Sequence, residues 1–437
     1  MGSLSVLSSH RALLVVLAAG LVLRIAFVLL HQRPVVSDEK EYDQLAKSIV
    51  NDASYAVRGV PTAYRPVGYP VFLAMTYAAA GHRPVAAKIL QALLDSLTAL
   101  FLFLIGRSHS YRAGIIVAFL WSLYLPAILY TNLLLTESLT VFLITLSLFV
   151  FLKKHNQNSI YPFLICGFLM GTAILVKPTL LPFPFLFLLI AKKVSIPRLQ
   201  LALLPLAAII VIAPWMTRNL FVLDTLSLST NIGINLYVGN NPSATGAYRG
   251  TFAEELSDTS VNEITRNEYA LKLAVDHMVT HPGVFVLNGI KKVAHVFRSE
   301  GDALVGSFSP YSPLDKIGFK DQYRSLPIVV VAATNLSYYF LLLLGIAGFL
   351  ASERGRLFWF TTVFFASSLL VHFIFFGGSR FHFPFMPFAA LYAAEAAASF
   401  IDRQFVLSRT RKLLFLLSSI ALTSLWSYEL ILIYLTH

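Results

Sequence analysis

Apolar runs long enough to cross a bilayer recur along this chain from Leu13 to Tyr434, and no other feature restricts its fold so strongly. A segment in lipid finds no water for its peptide groups, so it must satisfy them internally. Continuous runs of this length are read as transmembrane helices, which predicts an all-α polytopic membrane protein. Composition agrees. Only 13% of the residues are charged and 57% are hydrophobic, whereas soluble domains are about one quarter charged. The counts of 35 Phe and 19 Tyr suit lipid contact and interfacial belts.

Eleven spans are expected, at about 12–31, 85–106, 113–131, 134–152, 160–176, 178–191, 200–217, 327–350, 358–376, 384–401 and 413–434. Pro178, Pro182 and Pro184 interrupt the sixth. The net charge of +12 sits largely in short loops, where it sets orientation and gives no reason to expect nucleic acid. Arg107 and Arg112, Lys153 and Lys154, Lys192, Lys193 and Arg198, Arg354 and Arg356, and Arg403 to Lys412 fall on one side. By the positive-inside rule that side is cytoplasmic, with the N-terminus inside and His437 outside. The run Ala12–Leu30 is followed by His31-Gln-Arg-Pro with no small-x-small cleavage site, so it reads as an uncleaved first span. The single cysteine, Cys166, lies in an apolar run and supports no disulfide framework.

Two long segments, 32–84 and 218–326, then lie outside the cytoplasm, and residues 1–437 are expected to form one membrane domain with an extracytoplasmic cap. After Ser37, Tyr42, Leu45, Ala46 and Ile49 share one helical face, while Lys40, Glu41, Gln44 and Lys47 take the other. That predicts a juxtamembrane amphipathic helix. Residues 69–80 offer a second helix or a half-buried hairpin. A polar helix near 258–280, capped by Ser257 or Asp258, should stop at His281-Pro-Gly. Val284, Leu287, Ile290 and Val293 form an apolar stripe beyond it, beside Lys291, Lys292 and Arg298.

Asp38 and Glu39 admit two readings. Behind Ser37 as N-cap they fit a helix's first turn, where the macrodipole favours acids. A carboxylate held at the membrane face can also take a proton from an attacking hydroxyl. Arg65 stands on the stiff turn Tyr64-Arg-Pro-Val-Gly-Tyr-Pro70, suited to bidentate phosphate contact or to a lipid headgroup. Glu137, Lys177 and Arg380 all fall at the outer ends of spans. Topology therefore gathers three cations and three acids on one face. Arg24 and Asp95 lie deeper, each about 12–15 Å below the outer face, and are expected to pair or to share Glu395.

These motifs resemble those of the GT-C glycosyltransferases, in particular family 39 and the bacterial enzymes near it. Asp38-Glu-Lys-Glu-Tyr42 is similar to the family's Asp-Glu-x-x-Tyr, and Arg65-Pro-Val-Gly-Tyr-Pro70 to its Arg-Pro-Pro-Gly-Tyr-Pro. Gln91-Ala-Leu-Leu-Asp95, Leu134-Leu-Thr-Glu-Ser138, Lys177-Pro-Thr179, Ala213–Asn219, Thr230–Tyr248 and Arg380-Phe-His-Phe-Pro384 follow in the family's order. The resemblance implies a GT-C-type bundle in the bacterial inner membrane, with its active site on the extracytoplasmic side. The implied donor is a polyprenyl-phosphate sugar, and the acceptor a lipid, glycan or protein. It implies Asp38 as catalytic base with Glu39 or Glu137 as orienting partner. Arg65, Lys177 and Arg380, with Arg218 and Lys291, would hold the donor phosphate, and Tyr42, Tyr69, Asn240, Asn241 and His382 would contact substrate. Single displacement would invert the sugar. No His, Cys and carboxylate spacing points to a metal or cofactor. The chain shows no counterpart of the large soluble C-terminal domain of some members, so their acceptor recognition is not carried over. The rival reading is a transporter or flippase of lipid-linked sugars, for which internal repeats are expected and none is seen. A lipid-binding scaffold is a third.

Overall fold

The computed structural model describes residues 2–153, 159–248, 262–309 and 317–435. Its helices coincide with the apolar runs, and the fold is that of an all-α multi-pass membrane protein. Among the described residues seven helices are long and apolar enough to cross a bilayer: Arg11–Leu30, Pro84–Gly106, Arg198–Leu223, Ile328–Ala351, Arg356–Ile374, Ser379–Ile401 and Arg409–Tyr434. The pair Tyr111–Ser122 and Leu125–Thr131, bent by 53°, makes an eighth if counted as one span. Glu137–Leu152 and Tyr161–Val176 are apolar but have 16 residues each, about 24 Å of helix. The expected span 178–191 is broken into the short turns Pro178–Leu180, Pro182–Leu186, Phe187–Ile190 and Ala191–Val194. Its prolines remove the donors that a continuous helix needs.

The bend before Leu125 explains the deep ion pair. Ser122 O would normally accept from the amide four residues on, but that residue is Pro126 and has no N–H. Arg24 supplies the missing donor, Nη1 to Ser122 O at 2.9 Å, and its Nη2 adds a bond to Trp121 O at 3.0 Å. Its Nε donates to Asp95 Oδ2 at 2.6 Å, and Trp121 Nε1 donates to Asp95 Oδ1 at 3.2 Å. Both charged residues are fully buried. Glu395, the alternative partner, makes no ion pair with them. Gly20 lets the first helix reach the bend, since a Cβ there would stand 2.8 Å from Ser122 Cβ.

In the first long loop, Asp38–Asp52 is the expected amphipathic helix, with Tyr42, Leu45 and Ala46 buried. Gly68–Ala80 is helical, which settles the second element against a hairpin. A two-stranded hairpin, Ala56–Val57 with Val60–Pro61, precedes it. Gly68 sits where the Arg65 turn meets the end of Tyr161–Val176, and a Cβ would come within 2.6 Å of Val176 N. Backbone cannot yield as a side chain can. Gly68→Ala is therefore expected to lower the melting temperature in detergent, by overpacking worth about 1–3 kcal/mol, and to shift the turn that carries Arg65. Gly283→Ala, where the added methyl meets open space, is the control that should leave melting unchanged.

The second long loop contributes Ile232–Gly239, Glu263–Thr280, Pro282–Val296 and Asp302–Phe308. Asn262 caps Glu263–Thr280, its side chain accepting from Thr265 N. The expected caps Ser257 and Asp258 lie outside the described residues. Glu263 joins the two loops, accepting from Thr62 Oγ1 at 2.6 Å, Ala63 N at 2.9 Å and Thr230 Oγ1 at 3.0 Å. On Pro282–Val296 the apolar stripe of Val284, Leu287 and Ile290 points outward and Lys292 is buried.

Candidate functional site

Asp38 opens its helix from Ser37, whose φ of 51° is in the left-handed region that a non-glycine residue rarely adopts. Ser37 makes no side-chain cap, so the expected capping role is not what holds this turn. Glu39 holds it instead. Its Oε2 accepts from Arg33 Nη2 at 2.5 Å and its Oε1 from Leu134 N at 2.6 Å. Glu39 is thereby committed to docking the first loop on the bundle.

Asp38 is left free for cations. Its Oδ1 accepts from Arg65 Nη2 at 2.7 Å and its Oδ2 from Arg380 Nη1 at 3.0 Å. Residues 342 positions apart meet at one carboxylate. Each arginine has a second anchor. Arg65 Nε donates to Glu41 Oε2 at 2.5 Å, and its charge lies 5.5 Å from the rings of Tyr42 and Tyr64. The backbone of Arg380 is fixed by Asp302, whose Oδ2 accepts from Arg380 N at 3.0 Å and Ser379 Oγ at 2.7 Å. Ser379 Oγ in turn accepts from Asp302 N at 3.0 Å. Burial pushes the Asp38 carboxyl up, but Arg380 and Arg65 outweigh it and bring it down to about 2.

Glu137, which has no cation near it in sequence, meets one in space: Lys177 Nζ donates to its Oε1 at 3.1 Å. Lys177 and Arg380 each stand 5.4 Å from the ring of Phe381, which places the two pairs side by side. Tyr248, more than half exposed, is electrically close to Asp38, Arg65 and Arg380 at the same face. Gly377 N donates to Gly246 O at 2.9 Å, tying the segment before Tyr248 to the Arg380 turn.

Other expected site residues are placed elsewhere. Arg218 donates to Thr62 O and Tyr55 O, supporting the hairpin rather than facing Asp38. Lys291 is exposed; its neighbour Lys292 is the buried one, donating to Asn240 Oδ1 at 2.7 Å and Ile374 O at 3.0 Å. Asn240 and Asn241 spend their amides on backbone carbonyls. His382 is buried against Glu300, Nε2 to Oε1 at 2.8 Å, with its other nitrogen on Val296 O. Tyr69 donates to Gln91 Oε1, and Tyr42 is buried against the Arg65 guanidinium. Of the expected substrate contacts, only Tyr42 adjoins the Asp38 cluster. Glu41 and Asp302 were missed by sequence reasoning: the first looked like the wet side of a helix, and the second stands in a loop without a motif. Among the described residues no group of three His, Cys, Asp or Glu side chains is arranged to hold a metal ion.

Residues 64–217 match the family model described as dolichyl-phosphate-mannose-protein mannosyltransferase. Over these residues the family model agrees with the expected resemblance. They include Arg65, Glu137 and Lys177 but neither Asp38 nor Arg380. No curated protein sequence matches the chain. Among solved structures it is similar to the oligosaccharyltransferase AglB from Archaeoglobus fulgidus, in complex with an inhibitory peptide and a dolichol-phosphate. The TM-score is 0.47 and the identity 15%, covering 94% of this chain and 54% of that one. It is also similar to ArnT from Cupriavidus metallidurans in the apo state, with TM-score 0.45 and 16% identity over 90% and 79% of the two chains. For ArnT bound to undecaprenyl phosphate the figures are 0.42, 14%, 92% and 80%. This chain thus spans about half the length of the archaeal enzyme.

Proposed function

We propose that this protein is an integral-membrane glycosyltransferase that moves a sugar from a polyprenyl-phosphate donor to an acceptor hydroxyl on the extracytoplasmic side. The observation that carries the reading is Asp38 held between Arg65 and Arg380 at one end of the bundle. A carboxylate can take the acceptor's proton, and two guanidiniums can hold the phosphate that leaves. Phosphate departs readily without a general acid, so the site needs charge stabilisation where the negative charge builds up. Lys177 is a third cation within reach, neutralised at rest by Glu137. The family description, which names a prenyl-phosphate sugar, supports the donor class. Attack from the face opposite the phosphate inverts the anomeric centre.

An apolar cavity of about 300 Å³, lined by Phe27, Leu125, Leu129, Phe308 and Val330, is the surface we assign to part of the donor's tail. Phe308 ends the seven-residue helix that Asp302 begins.

Transfer in liposomes from a polyprenyl-phosphate sugar tests the reading. Arg65→Ala and Arg380→Ala are each expected to raise the donor KM and slow transfer by about 10- to 100-fold, as loss of a charge-assisted phosphate contact of about 1.5–3 kcal/mol requires. Mass spectrometry of cells lacking the protein should show a lipid-linked sugar accumulating and a glycan lacking one sugar. Unaltered glycans together with unaltered kinetics in both variants would end the proposal.

A further inference from the structure

Asp38 occupies the position between the two arginines that a phosphate would want. Asp38 divides its two oxygens between two guanidiniums, 2.7 Å from Arg65 and 3.0 Å from Arg380. Two non-bridging oxygens of a phosphate diester would divide themselves in the same way. Each arginine has a further anchor besides Asp38. Glu41 holds Arg65 through Nε, Asp302 holds the Arg380 backbone, and the Arg380 charge lies 5.4 Å from the Phe381 ring. An incoming anion can therefore take the place of Asp38 between them.

Resting on the donor-phosphate reading of this site, we infer that Asp38 is the site's own stand-in for the donor phosphate, and that donor binding converts it from a counter-ion into the base. A carboxyl held at about 2 is ionised but has little appetite for a proton, and a base works best with a pKa near the operating pH. When the phosphate takes over Arg65 and Arg380, Asp38 loses two cations and gains an anion as neighbour. Both changes raise its proton affinity. Glu41 and Asp302, which hold the two arginines, act in the same direction, while Lys177 and Glu137 neutralise each other.

The reaction then balances. The acceptor oxygen forms its bond to the anomeric carbon as that carbon's bond to the phosphate oxygen breaks. The acceptor proton passes to Asp38, and the electron pair of the broken bond stays on the polyprenyl phosphate, which gains one negative charge and tightens on the guanidiniums. As the lipid phosphate departs, Arg65 and Arg380 recover Asp38 and drive its proton off to water. The base is thus switched on only while a donor is present.

Coupling between two ligands of one site is reciprocal: if phosphate weakens the hold on Asp38, Asp38 weakens the hold on phosphate. The test is equilibrium binding of undecaprenyl phosphate to the detergent-solubilised protein, with the uncharged C55 prenol as the tail-only control. Asp38→Asn and Asp38→Ala are expected to bind the phosphate about tenfold more tightly than the wild type, because one like charge beside it is gone, and to bind the prenol unchanged. Arg65→Ala and Arg380→Ala should bind the phosphate more weakly. Using both Asp38 variants keeps the result readable if one fails to fold. Weakened binding in the Arg variants with unchanged or weaker binding in the Asp38 variants would overturn the exchange and leave the phosphate site standing. Unchanged phosphate binding in the Arg variants would remove the phosphate site itself.

Discussion

Asp38→Asn is expected to lower sugar transfer by roughly 10²–10⁴ while leaving expression and folding intact, the loss that follows removal of a general base. The substitution is nearly isosteric. The helix that Asp38 opens is docked by Glu39 through Arg33 and Leu134 N, not by the Asp38 side chain. An amide oxygen can still accept from Arg65 or Arg380, so the loop should keep its place. A purely structural role for this acid predicts little change in rate. Glu39→Gln, run alongside, separates the two neighbours. It weakens the charged contact to Arg33 and should show mainly as lost stability. Normal turnover in Asp38→Asn with an inactive but folded Glu39→Gln would move the base one residue along. Normal turnover in both would leave Glu137 as the acid to test next.

Much of this arrangement was legible in the sequence because membrane topology is a one-dimensional problem. Once the spans and the positive-inside loops were placed, Asp38, Arg65, Glu137, Lys177 and Arg380 fell on the same face, and the structure brings them into contact. Matched depth also paired Arg24 with Asp95. What topology does not convey is azimuth. Lys291 and Lys292 differ by one residue, which on a helix is about 100° of rotation. The apolar stripe of this helix points outward and Lys292 inward, so the buried cation is Lys292. Glu41 shows the same limit. Periodicity assigned it to the solvated side of its helix, and only the descent of the Arg65 turn gives it a partner. Asp302 carried no signal, because its role depends on a hydroxyl and an amide 77 and 78 residues away.

The Arg24–Asp95 pair carries the largest expected effect on stability. Asp95→Ala would leave a fully buried guanidinium without its carboxylate, which in buried pairs costs about 3–5 kcal/mol. Melting in detergent should fall by many degrees and the yield of folded protein should drop sharply. Removing both charges is a different case. In Arg24→Leu with Asp95→Leu no charge is left unpaired, so part of the loss should return. Recovery should stop short of the wild type. Ser122 O, orphaned by Pro126, accepts from Arg24 alone among the described residues, and an unmet buried carbonyl costs about 1–3 kcal/mol. The order wild type, then double variant, then Asp95→Ala distinguishes a charge that must be neutralised from one that also caps a broken helix. A double variant as stable as the wild type would show that the carbonyls at the bend find another donor. Asp95→Ala melting like the wild type would show that Arg24 needs no carboxylate at that depth, and the electrostatic account of this contact would fall.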